Sequence, residues 1–229
     1  MPLSNPHQQP IRSFVRRQGR MTPAQRLALA QHWSRFGINI TDQLIDFNAV
    51  FGRNADLALE VGFGMGDSLL AMARAHPHKD YIGIEVHTPG VGALLSLLAK
   101  EPLDNIRIYR HDAINILNQC IADNSLSEVN IFFPDPWPKK RHQKRRLIQP
   151  AVIALIHRKL KAGGRIHLAT DWESYAHQMM AVMSTAQEFY NAAAEGQFIK
   201  NQTVRPMTKF EKRGRRLGHR VWDLIFIKK

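Results

Sequence analysis

Asp135 stands between two prolines, and the eleven residues that follow it carry a tryptophan and six Lys/Arg side chains. An acid, an aromatic ring and a cluster of cations on one short stretch can grip a base, wall a pocket and hold phosphates. Prolines at 134, 136 and 138 fix φ and remove backbone donors, so the segment holds one shape. The hydrophobic residues 129–133 before it read as a buried strand that ends in this turn. A second group of chemically useful residues lies at 60–66, Glu-Val-Gly-Phe-Gly-Met-Gly. Glycines at Gly62, Gly64 and Gly66, directly after an apolar run, permit a tight turn and let a ligand lie against the backbone. Further carboxylates, Glu85, Asp112 and Asp171, each close an apolar β-like run.

The elements that must position these groups alternate between strand and helix from Asp56 onward. Strands are expected at Leu57–Val61, Tyr81–Glu85, Ile106–His111, Val129–Phe133 and Arg165–Thr170. Helices are expected at Ser68–Ala75, Val91–Lys100, from Asp112 to about Ala122, Arg145–Leu160 and Ser174–Phe189. Val221–Ile227 reads as a last strand at an edge or in a hairpin. Repeated β–α units imply an α/β fold with a mostly parallel sheet and helices on both faces. Ligands of such sheets bind at the carboxyl ends of the strands. The five acids Glu60, Glu85, Asp112, Asp135 and Asp171 are therefore expected on one rim. Before this unit, residues 1–20 form a basic arm with Arg12, Arg16, Arg17 and Arg20. Thr22-Pro23 with Gln25 then starts a helix that runs to about Trp33 and ends near Gly37. The division expected is an arm and helix over 1–40 and a catalytic domain over 41–229.

Charge points to the partner. Lys+Arg is 32 against Asp+Glu 19, a net charge of +13. The cations cluster: residues 139–146 carry six and no acid, and residues 209–220 carry six with only Glu211 among them. The first acid of the chain is Asp42. Such clustering favours a nucleic acid over a diffuse basic surface. Cys120, the single cysteine, is expected as a buried thiol, and no internal disulfide can form. No apolar stretch reaches the ~18 residues of a membrane span, and the amino terminus lacks a signal core. A cytoplasmic protein is expected, with no membrane contact. No metal set is evident among the histidines, and no motif calls for an obligate protein partner.

The glycine loop separates two cofactors. A dinucleotide fingerprint G-x-G-x-x-G would place a third glycine at 67, where Asp67 stands. A carboxylate at the start of that helix would also repel a pyrophosphate. S-adenosylmethionine has no phosphate, and its cationic sulfonium suits an acidic pocket. Glu85 is placed to accept from the ribose hydroxyls and Asp112 from the adenine amine. Glu60 lies beneath the turn, where it holds either the turn itself or the methionine end. A nicotinamide-dependent oxidoreductase and a non-catalytic RNA-binding module are the alternative classes. Asp67 speaks against the first, the intact acid rim against the second.

Together these segments resemble the bacterial tRNA (guanine-N7)-methyltransferase family. The matching pieces are Glu60–Gly66, Ile84-Glu85-Val86, Arg110-His111-Asp112-Ala113, Phe132–Arg146, Ala169-Thr170-Asp171-Trp172 and Thr208-Lys209-Phe210-Glu211. The resemblance implies a Rossmann-like class I methyltransferase fold with a seven-stranded sheet and a basic amino-terminal extension. It implies methyl transfer from S-adenosylmethionine to N7 of a guanosine in the tRNA variable loop. Cofactor contacts are implied at Glu60, Glu85, Asp112 and Asp135, beside the three glycines. Substrate contacts are implied at Lys139, Asp171, Thr208, Lys209, Phe210 and Glu211, and an RNA-contacting run at Arg141, His142, Gln143, Lys144, Arg145 and Arg146. Guanine N7 already exposes a lone pair, so the reaction needs alignment rather than a strong base or a metal. Such positioning can supply ~7–11 kcal/mol. Asp135 is the expected catalytic residue. It can accept from the guanine N1–H and exocyclic amine, balance charge building on the ring, and touch the methionine end of the cofactor. Trp137 either stacks on the base or packs beneath the loop. Adenine-N6 enzymes carry a similar loop with two consecutive prolines before the aromatic, which Asp135-Pro136-Trp137-Pro138 does not reproduce.

Overall fold

The structure, a computed structural model, describes residue 14 and residues 19–200, 205–216, 218 and 220–229, the side chains of 209, 210 and 215 excepted. Arg12, Arg16 and Arg17 of the basic arm, and the substrate contacts expected of the Lys209 and Phe210 side chains, lie outside this set. Helix α1 (Pro23–Phe36) starts as its sequence dictates. Thr22 Oγ1 accepts from Gln25 N while Gln25 Oε1 accepts from Thr22 N, satisfying two orphan donors reciprocally. A short helix, α2 (Phe47–Phe51), is capped by the Asp46 carboxylate.

The β–α alternation then unrolls as β1 (Asp56–Val61), α3 (Asp67–Ala75), β2 (Lys79–Ile84), α4 (Thr88–Leu98), β3 (Ile106–Tyr109), α5 (Ala113–Gln119) and β4 (Leu126–Phe132). It continues with α6 (Pro150–Lys159), β5 (Leu160–Thr170), α7 (Glu173–Thr185), β6 (Phe189–Asn191), α8 (Lys209–Arg216) and β7 (Trp222–Lys228). The sheet order is β3-β2-β1-β4-β5-β7-β6. Strands β1 to β5 are parallel, and β7 runs antiparallel to both neighbours. Because β1 is flanked by β2 on one side and β4 on the other, the chain reverses direction across the sheet there. That reversal opens a crevice at the carboxyl ends of β1 and β4.

The period-2 alternation sends each strand's residues into one of two cores. Leu57, Leu59 and Val61 pack with Ile116, Ile153, Ile156 and Tyr175 beneath α5, α6 and α7. Ala58, Tyr81, Ile106 and Ile108 pack with Leu69, Val91, Leu94 and Leu98 of α3 and α4, and with Phe36 of α1. Each such side chain, once buried, contributes ~1.5–3 kcal/mol, so the strand ends above are anchored by two apolar layers. Cys120 is a buried free thiol.

Two expectations are corrected. Of the two placements expected for Val221–Ile227, the edge fails, since β7 lies between β5 and β6, while the antiparallel pairing with β6, the preceding strand, agrees with the hairpin alternative. Val221, Trp222, Leu224, Ile225 and Phe226 are all buried, and that near-continuous apolar run is the signature of an interior strand. A single helix over Arg145–Leu160 does not form either. Lys140–Arg145 is a 3-10 turn, and α6 begins only at Pro150, which occupies the first helical turn where a missing N–H costs nothing. No helix among the described residues is long and apolar enough to cross a membrane.

Candidate active site

A cleft of about 560 Å³ opens at the crevice between β1 and β4, within the ~300–1,000 Å³ range of small-molecule sites. Val61 and Gly62, at the start of the glycine turn, line it. Gly62, Gly64 and Gly66 have φ of 75°, 57° and 86°, values an L side chain rarely adopts. A Cβ at Gly66 would also press on the Leu94 side chain at 2.7 Å, whereas one at Gly62 or Gly64 would meet nothing. The turn is therefore locked against α4 at Gly66 and open at Gly62 and Gly64.

Glu85, Asp112 and Asp135 all line this one cleft. Glu85 Oε2 accepts from Gly64 N at 2.8 Å, and Oε1 accepts from Val86 N at 2.7 Å and His87 N at 2.8 Å. These use three of a carboxylate's roughly four acceptor sites. The expected ribose clasp through both hydroxyls then requires Glu85 to release a backbone N–H. Asp112 Oδ1 caps α5, accepting from Ile114 N at 2.8 Å and Asn115 N at 3.3 Å, which leaves Oδ2 as the acceptor for an adenine amine. Glu60 does not line the cleft. It points into the α3 face, buried, and accepts from Ser68 Oγ at 2.6 Å. Its Oε2 has no hydrogen-bond partner. Burial, with a smaller push from Glu85, raises its carboxyl from 4.5 to about 7 against the opposing Ser68 bond. Glu60 thus holds the start of α3, and with it the turn.

The loop after β4 is bent by two non-glycine residues in the left-handed region, Phe133 at φ 52° and Trp137 at φ 44°. Such strain persists only where surrounding structure enforces it. Arg146 does so at one end. Counted by sequence with the RNA-facing cations, it instead turns inward with 3% exposure. Its Nε donates to Pro136 O at 2.8 Å, Nη1 to Gln178 Oε1, and Nη2 to Ser174 Oγ at 3.2 Å. The guanidinium also covers the Tyr175 ring, 4.7 Å from its centroid. Tyr175 OH accepts from Ile148 N at 3.1 Å, and burial pushes its phenol up to about 12. Trp137 lines the cleft while Arg145 stacks over its ring at 5.0 Å and His142 meets it edge-on. Arg145 is thereby partly spent on the indole. Desolvation first, then Arg141, Arg145, Lys139 and Lys144, lower the His142 imidazole below its ordinary value. Lys139, Lys140, Arg141 and Lys144 are the exposed cations of the run, and Gln143 is half-buried.

The far side of the loop is held by residues that sequence reasoning left unassigned. Arg205 is buried between Phe132 and Phe133, 5.3 Å and 5.1 Å from the ring centroids. It donates to Glu211 Oε2 at 2.6 Å and to Asp223 Oδ1 at 2.7 Å, and Asp223 Oδ1 also meets His167 Nε2 at 2.8 Å. Burial alone would raise the Asp223 carboxyl; His167 and Arg205 outweigh it and leave it lowered. Thr208 Oγ1 accepts from Glu211 N at 3.0 Å, capping α8. Glu211, expected as a substrate contact, is engaged here, and neither it nor Thr208 lines the cleft. Asp171 follows β5 on the same edge of the sheet as the cleft without lining it. The sequence signal for this network was only Arg205-Pro206 and an aspartate inside an apolar strand. Among the described residues no group of three or more His, Cys, Asp or Glu is placed to hold a metal.

The family model described as a putative methyltransferase matches residues 54–224. A tRNA (guanine-N(7)-)-methyltransferase of Hydrogenovibrio crunogenus is 54% identical over 220 residues, 96% of this chain and 92% of the relative. One from Stutzerimonas stutzeri is 55% identical over 216 residues, 94% of this chain and 91% of the relative. The chain belongs to the tRNA (guanine-N7)-methyltransferase family. Among solved structures, the 16S rRNA methyltransferase KamB superposes with a TM-score of 0.57 at 13% identity, over 82% of this chain and 95% of KamB. A precorrin-6y C5,15-methyltransferase from Geobacter metallireducens follows at 0.51 and 14%, over 82% and 91%. At such identities the likeness is one of fold: the Rossmann-like class I methyltransferase sheet.

Proposed function

We propose that this protein methylates N7 of a guanosine in tRNA, in the variable loop, using S-adenosylmethionine. The observation that carries the reading is the convergence of Glu85, Asp112 and Asp135 on one cleft beside a bare glycine turn, at the reversal point of a methyltransferase sheet. Family membership supports the reaction class. The residues fit the cofactor: open backbone at Gly62 and Gly64, an acceptor at Asp112, and acid for a cationic centre. When bound, the cofactor supplies an electrophilic methyl group on a sulfonium.

What the chain does is position and exclude. Glu85 fixes Gly64 and the segment leading into α4, so the turn is preorganised. Asp135, presented by the strained loop, accepts from the guanine N1–H and amine, a donor pair adenine lacks. Its charge offsets the positive charge that develops on the ring as N7 is alkylated. Arg146 and Arg205 hold the two ends of that loop, so Asp135 stays in register with the cleft. Lys139, Lys140, Arg141 and Lys144 border its mouth and hold phosphates. Incubation with methyl-labelled S-adenosylmethionine and bulk tRNA, followed by nucleoside analysis, tests this. Label in N7-methylguanosine is expected; label in another nucleoside, or in none, refutes it.

A further inference from the structure

We propose that the indole of Trp172 is a stacking platform for a nucleobase of the single-stranded RNA flanking the target guanosine, with that nucleotide's phosphate in the depression beside it. The inference deepens the tRNA-methylating reading and rests on it. Trp172 is one of few large apolar side chains exposed among the described residues, at 41%. It follows Asp171 at the carboxyl end of β5, adjacent to the strand that ends in the Asp135 loop. Exposing an indole forfeits burial, so a rigidly held exposed one needs a reason.

The ring is rigidly held. Trp172 Nε1 donates to Ser174 Oγ at 3.0 Å, and its backbone N donates to Thr170 Oγ1 at 3.2 Å. Ser174 Oγ in turn accepts from the buried Arg146, the residue that grips Pro136 O. The indole's one polar group is thus satisfied by the protein's own Ser174 hydroxyl, and the exposed remainder of the ring system is apolar. Any base can stack on such a face. A depression of about 500 Å³ lies alongside, lined by Gln143, Lys144, Arg146, Gln149, Ser174 and Gln178. No carboxylate lines it, and Arg146 has no carboxylate partner among the described residues. Burial lowers its guanidinium pKa, the direction expected of a desolvated charge. Amides, a hydroxyl and the exposed Lys144 suit a ribose and a phosphate, while Arg146 stays buried beneath them against Pro136 O and Ser174 Oγ. Asp171 and Glu173 flank the indole itself, offering acceptors to base amines rather than to phosphate. Ser174 belongs to both halves, so base and phosphate subsites are built on one atom chain that leads to the catalytic loop.

The test compares Trp172→Ala and Trp172→Phe with the wild-type full-length chain. For Trp172→Ala the tRNA Kd is expected to rise about 5- to 150-fold, the range for losing one base–aromatic stack. Cofactor Kd and melting temperature should be unchanged, and Trp172→Phe should recover most of the tRNA affinity. Quenching of intrinsic fluorescence by a short single-stranded RNA should fall in Trp172→Phe. Lys144→Gln should flatten the salt dependence of tRNA binding by about 0.7–0.9 in log–log slope. Wild-type tRNA affinity and undiminished quenching in the variants overturn the proposal, as does loss of affinity accompanied by a lowered melting temperature. A wild-type protein that binds tRNA but transfers no methyl to it would sink the functional reading instead, and that result is separable from these.

Discussion

Replacing Glu60 by glutamine should change the pH dependence of stability in a defined direction. Glu60 is fully buried, has one oxygen without a partner, and titrates at about 7 instead of 4.5. Desolvation is the main cause, so the folded protein prefers the neutral carboxyl. A raised acid binds its proton more tightly in the folded state than in the unfolded chain. The stability associated with the neutral form is therefore complete below about pH 4.5 and is lost as pH rises to about 7. At about 1.4 kcal/mol per pH unit, the interval from 4.5 to about 7 amounts to ~3 kcal/mol. For a chain of this size that is roughly 6–12 °C in melting temperature. Glutamine keeps the shape and cannot ionise. Groups with depressed values, such as Asp223, are common to both proteins and cancel in the difference. Melting curves from pH 4.5 to 8.5 should show Glu60→Gln gaining on wild type steadily across the window and then running parallel. Curves parallel throughout would mean that Glu60 is not a buried carboxyl of raised pKa.

The remaining expectations concern the loop and its supports. Asp135→Ala should lower kcat by at least 10²–10³-fold, the order for losing one preorganised electrostatic contact, with an unchanged melting temperature because the side chain is exposed; near-normal turnover would remove its role. Arg146→Ala leaves Pro136 O and Gln178 Oε1 without the donor they share and should cost about 1–3 kcal/mol in chemical denaturation, with a larger fall in kcat than in cofactor affinity; a pure loss of tRNA affinity would instead make it an RNA contact. Alanine at Lys139, Lys140 and Arg141 should flatten the salt dependence of tRNA binding by ~0.7–0.9 per phosphate lost, whereas Arg146→Ala should leave the slope alone; filter binding from 50 to 300 mM salt distinguishes them.

Much of this arrangement is legible in the residues because it is written in local patterns. The Thr22-Pro23-Gln25 capping box, the glycines after an apolar run and the strand-end acids are short-range signals; the structure forms the box and the turn, and brings three of the five acids, Glu85, Asp112 and Asp135, to one cleft. The sheet's seven-strand form came from resemblance; β6, three residues long, carries too little pattern to read. For β7 only the edge alternative fails, since its apolar run is longer than an edge strand tolerates; the hairpin alternative agrees with its antiparallel pairing to β6. The helix expected over Arg145–Leu160 begins only at Pro150, since a proline fits the first helical turn and breaks the ladder further in. The long-range pairs were illegible. Nothing local distinguishes Arg146, which folds back onto Pro136, from Lys144, which faces solvent. Arg205, Asp223 and His167 lie on different elements, and only the packing of β5 against β7 brings them together. Of the two roles open to Glu60, holding the turn or the methionine end, its bond to Ser68 agrees with the first, because alternation along β1 sends its side chain to the face covered by α3.

Acceptance at N7 is the claim on which the roles of Asp135 and the cleft depend. It is tested most directly with tRNA transcripts in which 7-deazaguanosine replaces guanosine. Such RNA keeps the N1–H and amine that Asp135 is proposed to read and presents a carbon where the lone pair should be. It should compete with unmodified tRNA for the enzyme and take up no label from S-adenosylmethionine. Methyl transfer to the 7-deaza transcript would place the acceptor atom elsewhere and contradict the assignment.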